Sequence, residues 1–150
     1  MIAAPVSIRA VNELVVRAAD SRELGEVLAF WSTAAENASR PPDSPAALAA
    51  LHLRDADALL VAVDGDRIVG TIIAGWDGWR CHLYRLAVDP GRRRNGIGRA
   101  LIAAAENRIR SLGGTRIDAM VLDDNPGAHA IWAARGYHRQ EDWSRWIKPL

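Results

Sequence analysis

One stretch, residues 83–101, constrains the fold of this chain more strongly than any other. It begins with the pattern of a strand and ends with a helix that starts at Ile97, and the loop between them holds Gly96 and Gly98 after a run of three arginines. Glycine lets a backbone approach a ligand closely because no Cβ stands in the way. The first turn of a helix also offers unpaired N–H groups and partial positive charge. The stretch therefore predicts an anion site suited to phosphate, preceded by a strand whose main chain can pair with whatever carries the phosphate.

The charge of the chain is uneven, which narrows the kind of ligand. The net charge is only +1 over 150 residues, 25% of them charged and 49% hydrophobic, so the composition is that of an ordinary globular protein. A general nucleic-acid or acidic-membrane binder would be more basic. Between Arg80 and Arg116, however, arginines are frequent, and Asp89 and Glu106 are the only carboxylates. This pattern indicates an anionic ligand near the middle of the chain, and nucleic acid is not expected.

The length and the cysteine usage bound the organisation of the protein. A chain of this size suits a single domain over residues 1–150, in which residues 1–11 form a loose N-terminal tail. Cys81 is the only cysteine, so no disulfide can form within the chain, which indicates a reducing compartment. No apolar run is long enough to cross a membrane, and the N-terminus lacks the pattern of a signal peptide. We therefore expect a cytoplasmic protein without a membrane partner.

The order of the predicted elements indicates a mixed sheet. Apolar runs and alternation predict strands over 13–18, 58–63, 67–74, 81–88, 115–122, 137–140 and 143–147. Helical spacing and caps predict helices over 21–35, 46–53, 97–111 and 128–135. The turn Asp64-Gly65-Asp66 indicates a hairpin, so the central strands are antiparallel, while the helix after the glycine loop leads back to a parallel strand. The expected fold is α/β of the α+β type, a mostly antiparallel sheet of about 6–7 strands with helices on both faces.

Two motifs resemble those of a known superfamily. Arg93-Arg-Asn-Gly96-Ile-Gly98 fits the pattern Gln/Arg-x-x-Gly-x-Gly/Ala, and it follows Leu86-Ala-Val-Asp-Pro90 and precedes an amphipathic helix. Further on, the chain is similar to the segment Asn-x-x-Ala-x-x-Leu-Tyr-x-x-x-Gly-Phe, where it has Asn125-x-x-Ala128-x-x-Ile131-Trp132-x-x-x-Gly136-Tyr137. From about Glu13 to its end, the chain resembles the GCN5-related N-acetyltransferase (GNAT) superfamily, so the expected sheet is GNAT-like.

The resemblance implies a site for acetyl-CoA as co-substrate. Main-chain amides of the glycine loop would hold the CoA pyrophosphate, the preceding strand would pair with the pantetheine arm, and Asn125 would bond the pantetheine amide region. The amide of Val88 or Leu86 would polarise the thioester carbonyl. The residues predicted to bind acetyl-CoA are Leu86, Ala87, Val88, Arg93, Arg94, Asn95, Gly96, Ile97, Gly98, Arg99 and Asn125.

Other phosphate-binding motifs fit the glycine loop less well. A dinucleotide fold needs a third glycine, and Arg99-Ala-Leu101 supplies none. The upstream hairpin also disagrees with a doubly wound parallel sheet. A P-loop would need Gly-Lys-Ser/Thr, which the stretch lacks. A nucleic-acid groove would interleave the arginines with exposed aromatic residues, and the loop has none.

Members of the superfamily mostly transfer acetyl by direct attack of the amine on the thioester in a ternary complex. An amine is usually protonated at neutral pH, so a base must first take up its proton. On the strand before the loop, His82, Tyr84, Leu86 and Val88 share one face by alternation, unless the bulge expected near Leu86 from the family changes the register. His82 lies close to where some members keep a carboxylate base, and an imidazole can be neutral at physiological pH. His82 and Tyr84 are therefore the candidate catalytic residues. The alternatives stay open: an exposed strand histidine, and an aromatic ring that packs between strand and helix.

Trp132 and Cys81 bear on the other steps of the reaction. The superfamily often has a tyrosine as general acid where this chain has Trp132, and an indole cannot release its N–H proton at useful pH. The general acid is therefore unassigned, and Tyr137 matches a structural aromatic residue of the family. Cys81 can be considered as an acyl carrier in a ping-pong mechanism, but alternation points it away from His82, as a buried small apolar residue. The histidines show no metal-ligand spacing, so no metal is expected.

By the same resemblance, the acceptor enters opposite the donor, between the first helix–loop–helix and the central strands. Charged and aromatic side chains occur in that loop and in the turn that should face it, and their mixed charges favour a small polar amine. The residues predicted to bind the acceptor are Glu36, Arg40, Trp76, Asp77, Trp79 and Arg80. Three alternative functions remain: acetylation of a protein N-terminus, as by the ribosomal-protein alanine acetyltransferases, a non-catalytic acyl-CoA-binding module, and an arginine-rich member of the superfamily that contacts RNA. The predicted C-terminal strands, with Trp143 and Trp146, offer a contact for a homodimer.

Overall fold

A computed structural model describes residues 13–34 and 42–150. The strands of this part of the chain are β1 (Val15–Ala18), β2 (Leu59–Asp64), β3 (Arg67–Trp76), β4 (Cys81–Val88) and β5 (Ile117–Ala119). Its α-helices are α1 (Leu24–Ala34), α2 (Pro45–Arg54), α3 (Ile97–Ser111) and α4 (Pro126–Ala134). A larger compact unit ends at Ala119, and a smaller one comprises Met120–Leu150. None of the helices within the described ranges combines the length and the apolar character needed to cross a membrane.

The sheet is mixed, as the sequence predicts. Its strands lie in the order β1-β2-β3-β4-β5, with antiparallel pairing everywhere except between β4 and β5, which are parallel. Gly65 has a left-handed φ of 61° in the turn between β2 and β3, which makes the predicted hairpin possible. The crossover through α3 accounts for the parallel pair, because a helix can carry the chain back along the sheet.

Helices cover both faces of the sheet. On the first, the α1 face, the buried cluster comprises Ala19, Val27, Trp31, Ala34, Leu48, Leu59, Val61, Val63, Ile68, Ile73 and Ala87. Helix α3 covers the opposite side, the α3 face. A Cβ added to Gly70 would lie 2.8 Å from side-chain carbons of both Ile97 and Leu101, so only glycine permits this close approach of α3 to β3.

The local capping signals are confirmed. Ser44 is the N-cap of α2, and its hydroxyl oxygen accepts a hydrogen bond from the N–H of Ala47, while Pro45 occupies the first helical position. Asp20 forms a capping box with Glu23 ahead of α1, around one turn of 3-10 helix. Local chemistry therefore places the starts of these helices.

The C-terminal prediction is wrong in part. The strands predicted over 137–140 and 143–147 are absent, and the strand predicted over 115–122 shortens to β5, so the described residues form a sheet of five strands rather than 6–7. A strand pair is stable only against another sheet or over a buried apolar face. Trp143 and Trp146 are 68% and 92% exposed, so the segment buries no such face.

Candidate active site

Strand β4 contains a bulge. The β3–β4 ladder pairs Tyr84 with Ile73 and then Ala87 with Thr71, so two residues of β4 stand opposite one residue of β3. Arg85, the first residue of the bulge, has a left-handed φ of 54°, which is uncommon outside glycine. The bulge that the resemblance implies in this strand is therefore confirmed.

The extra residue changes which side chains share a face. His82 and Tyr84 lie on the α1 face, and Ala87 belongs to the buried cluster on the same side. Val88 pairs with Gly70, which faces α3, so Val88 lies on the α3 face. The regular alternation from 82 to 88 therefore ends at Tyr84, because the expected bulge changes the register by one residue.

Buried hydrogen bonds hold the bulge in place. The Thr71 hydroxyl donates to the main-chain oxygen of Arg85 over 2.9 Å and accepts from the indole Nε1 of Trp31 over 2.8 Å. The Arg85 guanidinium pairs with Asp43 at 2.5 Å and lies 5.5 Å from the centre of the Trp31 ring. Sequence reasoning missed this network. Its one visible signal was a threonine within the otherwise apolar run of β3, since a buried hydroxyl needs partners.

The far edge of β4 is open next to the bulge. Strand β5 pairs only with the first three residues of β4, Cys81 to Leu83, and ends at Ala119. Within the described ranges, residues 84–88 therefore have a strand partner on the β3 side alone. An exposed strand edge offers a row of N–H and C=O groups to which an extended ligand can add.

The loop after β4 opens directly into the N-terminus of α3. Arg94 and Gly96 both have left-handed backbone conformations, with φ of 66° and 77°. Gly96 is the N-cap of α3 without a side-chain cap, and the first intrahelical bond runs from the N–H of Ala100 to the oxygen of Gly96. The amides of residues 97–99 precede that bond and form the positive end of the helix dipole. This geometry suits an anion.

The arginines of the loop differ in their surroundings. Arg92 forms a hydrogen bond with the carboxylate of Asp64, at the end of β2, which ties the loop to the hairpin. Arg93, Arg94 and Arg99 are exposed around the start of α3. Positive charge therefore lies close to the open helix end, an arrangement that suits an anion.

Residues 22–137 match the sequence model of the acetyltransferase (GNAT) family. The chain belongs to this family. An acetyltransferase of Sodalis glossinidius is 36% identical to the chain over 87 residues, which cover 58% of this chain and 61% of that protein. An acetyltransferase of Pectobacterium atrosepticum is 41% identical over 83 residues, which cover 55% and 59%. The chain thus spans about three fifths of the length of these relatives.

Solved structures share the fold of this GNAT chain. The structure of AAC(6')-Iy in complex with the bisubstrate analog CoA-S-monomethyl-acetylneamine has a TM-score of 0.74 at 19% identity, covering 92% of this chain and 99% of that one. Diaminobutyrate acetyltransferase from Paenibacillus lautus, in complex with L-2,4-diaminobutyric acid and coenzyme A, has a TM-score of 0.68 at 23% identity, covering 83% and 75%. At these identities the similarity shows the fold alone.

The candidate catalytic residues lie together on the α1 face of the GNAT sheet. His82 is exposed, and Tyr84 is 43% exposed with its ring beside Gly75. Burial raises the pKa of Tyr84, so its phenol is protonated at neutral pH. Cys81 faces the other way and is 1% exposed, and burial raises the pKa of its thiol to about 11. A thiol in that state is a poor nucleophile.

The residues predicted to bind the amine acceptor do not all lie together. Asp77 shapes the β3–β4 turn, because its Oδ1 accepts hydrogen bonds from the N–H groups of Arg80 at 2.6 Å and Trp79 at 2.8 Å, and these bonds lower the pKa of its carboxyl. Trp79 is 78% exposed, with the Arg80 guanidinium 4.7 Å from its ring centre. Trp76 lies against Gly114, after the end of α3, and is thereby separated from this group. Glu36 and Arg40 lie outside the described residues.

The second family motif lies in the smaller unit. Asn125 is the N-cap of α4, and its Oδ1 accepts a hydrogen bond from the N–H of Ala128 at 3.0 Å. Trp132 is buried and meets Tyr137 edge to face, with the ring centres 4.9 Å apart. Asn125 therefore starts a helix, and its predicted bond to pantetheine stays a prediction.

Proposed function

We propose that the chain is an acetyl-CoA-dependent N-acetyltransferase that moves an acetyl group to a primary amine of a small polar molecule. The observation that carries this proposal is the open edge of β4, followed after a loop of eight residues by the open N-terminus of α3. An extended arm that ends in a diphosphate matches that pair of features. Membership of the GNAT family supports the same donor.

Two groups of residues in the larger unit would bind different parts of acetyl-CoA. The amides at the start of α3, with Gly96 and the exposed arginines, would bind the diphosphate. The edge of β4 at Leu86, Ala87 and Val88 would pair with the pantetheine arm as an added strand does. These residues fit acetyl-CoA because both its charged end and its amide-bearing arm meet complementary main-chain groups.

The reaction we propose is direct attack in a ternary complex. The amine nitrogen forms a bond to the thioester carbonyl carbon while the carbon–sulfur bond breaks, and the CoA sulfur leaves with the bonding electrons. His82 takes the amine proton, directly or through a water molecule. The attacking nitrogen carries one extra proton once its bond to the carbonyl carbon has formed, and this proton reaches the leaving sulfur directly or through water, since Trp132 cannot supply one. A main-chain amide of β4 stabilises the charge that develops on the carbonyl oxygen.

The proposed acceptor class rests on the mixed chemistry of one turn. The turn between β3 and β4 presents a carboxylate, an indole and a guanidinium in one group, at Asp77, Trp79 and Arg80. Such mixed chemistry suits a compact molecule that carries both an amine and polar groups. Two structures of the same fold, one in complex with L-2,4-diaminobutyric acid and coenzyme A and one with the bisubstrate analog CoA-S-monomethyl-acetylneamine, are in keeping with such an acceptor.

Calorimetry and a thiol-release assay test the proposal together. Acetyl-CoA should bind one site per chain, and CoA should appear only when an amine from a panel of amino acids, diamines, aminoglycosides and N-terminal peptides is added. Absence of acetyl-CoA binding would refute the donor assignment. Binding without release by any amine would instead favour a non-catalytic acyl-CoA-binding module, and release by peptides alone would favour a protein acceptor.

Replacing Cys81 by alanine is expected to leave kcat within about 2-fold of the wild type, because this buried thiol acts as a small apolar side chain. Initial-rate plots at several amine concentrations should intersect, as a ternary complex requires. Parallel lines together with an inactive C81A variant would show that the acetyl group passes through this cysteine.

Replacing His82 by glutamine is expected to lower kcat/KM about 10–100-fold near neutral pH, because a positioned base is lost. The deficit should shrink as the pH rises, since the amine then sheds its own proton without help. His138→Gln provides the control, because His138 is exposed and has no part in the proposal. A pH–rate profile of H82Q parallel to that of the wild type contradicts the role of His82.

A further inference from the structure

We infer that Thr71, oriented by Trp31, is a positioning residue that aims the main-chain N–H of Leu86 at the thioester carbonyl of the donor. The inference rests on the proposed function and narrows it, because the sequence left the polarising amide open between Leu86 and Val88. It also gives a role to a buried hydroxyl that the mechanism does not otherwise use.

The direction of the Thr71 hydroxyl is fixed by its partners. The indole Nε1–H of Trp31 can only donate, so the hydroxyl oxygen accepts that bond at 2.8 Å. The hydroxyl proton is then committed to the oxygen of Arg85, at 2.9 Å. Thr71 is fully buried, and its bond to Trp31 is buried with it, while its bond to the Arg85 oxygen is partly buried.

This bond fixes the peptide plane between Arg85 and Leu86. In a trans peptide the C=O of one residue and the N–H of the next point in opposite directions, and no cis peptide occurs among the described residues. The Arg85 oxygen points to the Thr71 hydroxyl on the α1 face of β3, so the Leu86 N–H points away from that hydroxyl. Because Ala87 pairs with Thr71 and the N–H of Asp89 bonds to β3, alternation also turns the Leu86 N–H to the open edge of β4, where residues 84–88 have no strand partner in the part of the chain that the structure describes.

The position along β4 distinguishes Leu86 from Val88. The N–H of Asp89 bonds to the oxygen of Val69 on β3, so alternation turns the N–H of Val88 to the open edge as well. The diphosphate site at α3 follows β4, which places Val88 nearer to it and Leu86 farther away. In acetyl-CoA the pantetheine arm separates the diphosphate from the thioester, so the farther donor meets the thioester.

The bulge needs this support because its conformation is unfavourable for arginine. Arg85 has a left-handed φ, and such a residue persists only where its surroundings hold it. Its guanidinium pairs with Asp43 and lies over the face of Trp31, whose indole N–H also orients Thr71. Trp31 thus supports both the side chain and the main chain of the bulge.

The test compares Thr71→Val, which keeps the shape and removes the hydroxyl, with Thr71→Ser, which keeps the hydroxyl. The probe is acetyl-CoA labelled with 13C at the thioester carbonyl, whose resonance should move downfield on binding to the wild type. In T71V we expect kcat to fall about 10–100-fold, with the acetyl-CoA Kd within about 3-fold of the wild type and the 13C shift reduced. T71S should restore both kcat and the shift.

Trp31→Phe is a second variant, because it removes the indole donor while Thr71 stays, and it should move kcat and the 13C shift in the same direction. An unchanged kcat and 13C shift in folded T71V overturns the inference. The inference is also overturned if T71S fails to recover kcat and the 13C shift. A T71V variant that loses kcat and acetyl-CoA affinity together overturns it too, because each of these results would mark Thr71 as a merely structural residue. If the wild type binds acetyl-CoA but transfers no acetyl group, the proposed function is refuted. The role of Thr71 is then still decided by comparing the 13C shift of bound acetyl-CoA in the wild type and in T71V. A wild type that binds no acetyl-CoA refutes both.

Discussion

Replacing Gly96 by aspartate should weaken the binding of CoA by at least roughly 100-fold. The position is the N-cap of α3, where the proposed diphosphate site lies, and an added Cβ meets nothing within 4 Å, so the side chain fits without a steric clash. A carboxylate close to a phosphate costs about 3 kcal/mol at an effective dielectric constant near 20, and each 1.4 kcal/mol is tenfold in affinity. Calorimetric titration with CoA measures the change directly.

Gly96→Asn separates the effect of charge from that of backbone strain. Gly96 has a φ of 77°, and asparagine and aspartate share the ability to adopt this conformation, so the two variants differ in charge alone. Asparagine should therefore retain most of the affinity. Asn107→Asp adds the same charge at an exposed site farther along α3 and should change Kd by less than about 2-fold, because solvent and salt screen it. Equal affinities of G96D and G96N would place the diphosphate elsewhere.

Local chemistry explains which elements the sequence could predict. The bounds of β4 and α3, Cys81–Val88 and Ile97–Ser111, agree with the predicted ranges because strand alternation, the glycines and helical spacing all change at the same residues. The N-terminus of α2 was equally predictable, because Ser44 is a typical N-cap residue and Pro45, at the next position, is typical of the first residue of a helix. In each case the decisive interaction lies within four residues of the signal.

The bulge and the C-terminal segment show where such reasoning stops. A left-handed Arg85 has no local signature, because its conformation depends on Thr71 and Trp31, which are distant in sequence. The strand pair predicted after α4 failed for a related reason. Short apolar runs around Trp143 and Trp146 resemble strands, but a strand forms only where a partner accepts it.

The site was predictable as a motif and not as a set of contacts. The glycines and the helical spacing indicated the open N-terminus of α3, which the structure has, whereas the pairing of Arg92 with Asp64 joins residues far apart in sequence. Asp77 was predicted as an acceptor ligand, and its hydrogen bonds in the turn became visible only in the structure. The roles of His82, Glu36 and Arg40 stay predictions, since they depend on an acceptor that the chemistry of single residues does not identify.

Replacing Arg108 by methionine is expected to lower the free energy of unfolding by about 3 kcal/mol. The side chain is only 13% exposed, and its guanidinium forms a hydrogen bond with Asp55, just after α2, and another with the main-chain oxygen of Ala74 on β3 at 3.4 Å. Methionine keeps the apolar stem and the helix propensity of arginine, so the variant isolates the loss of the charged group. The Asp55 carboxylate, which is 27% exposed, then loses this partner, and its partial desolvation is no longer compensated. Urea unfolding monitored by circular dichroism measures the difference.

Arg54→Met is the matched control, because it makes the same substitution at an exposed position in the last turn of α2. The charge of an exposed arginine stays hydrated in the folded chain, so its loss should cost less than about 1 kcal/mol. A double variant that joins Arg108→Met with Asp55→Ala should recover at least about 1 kcal/mol relative to the sum of the single changes, because it removes both members of the pair. Equal destabilisation by R108M and R54M would mean that the ion pair does not join α3 to the end of α2. Strict additivity with Asp55→Ala would locate the cost of R108M in the lost bond to β3, so the cycle identifies which contact of Arg108 stabilises the fold.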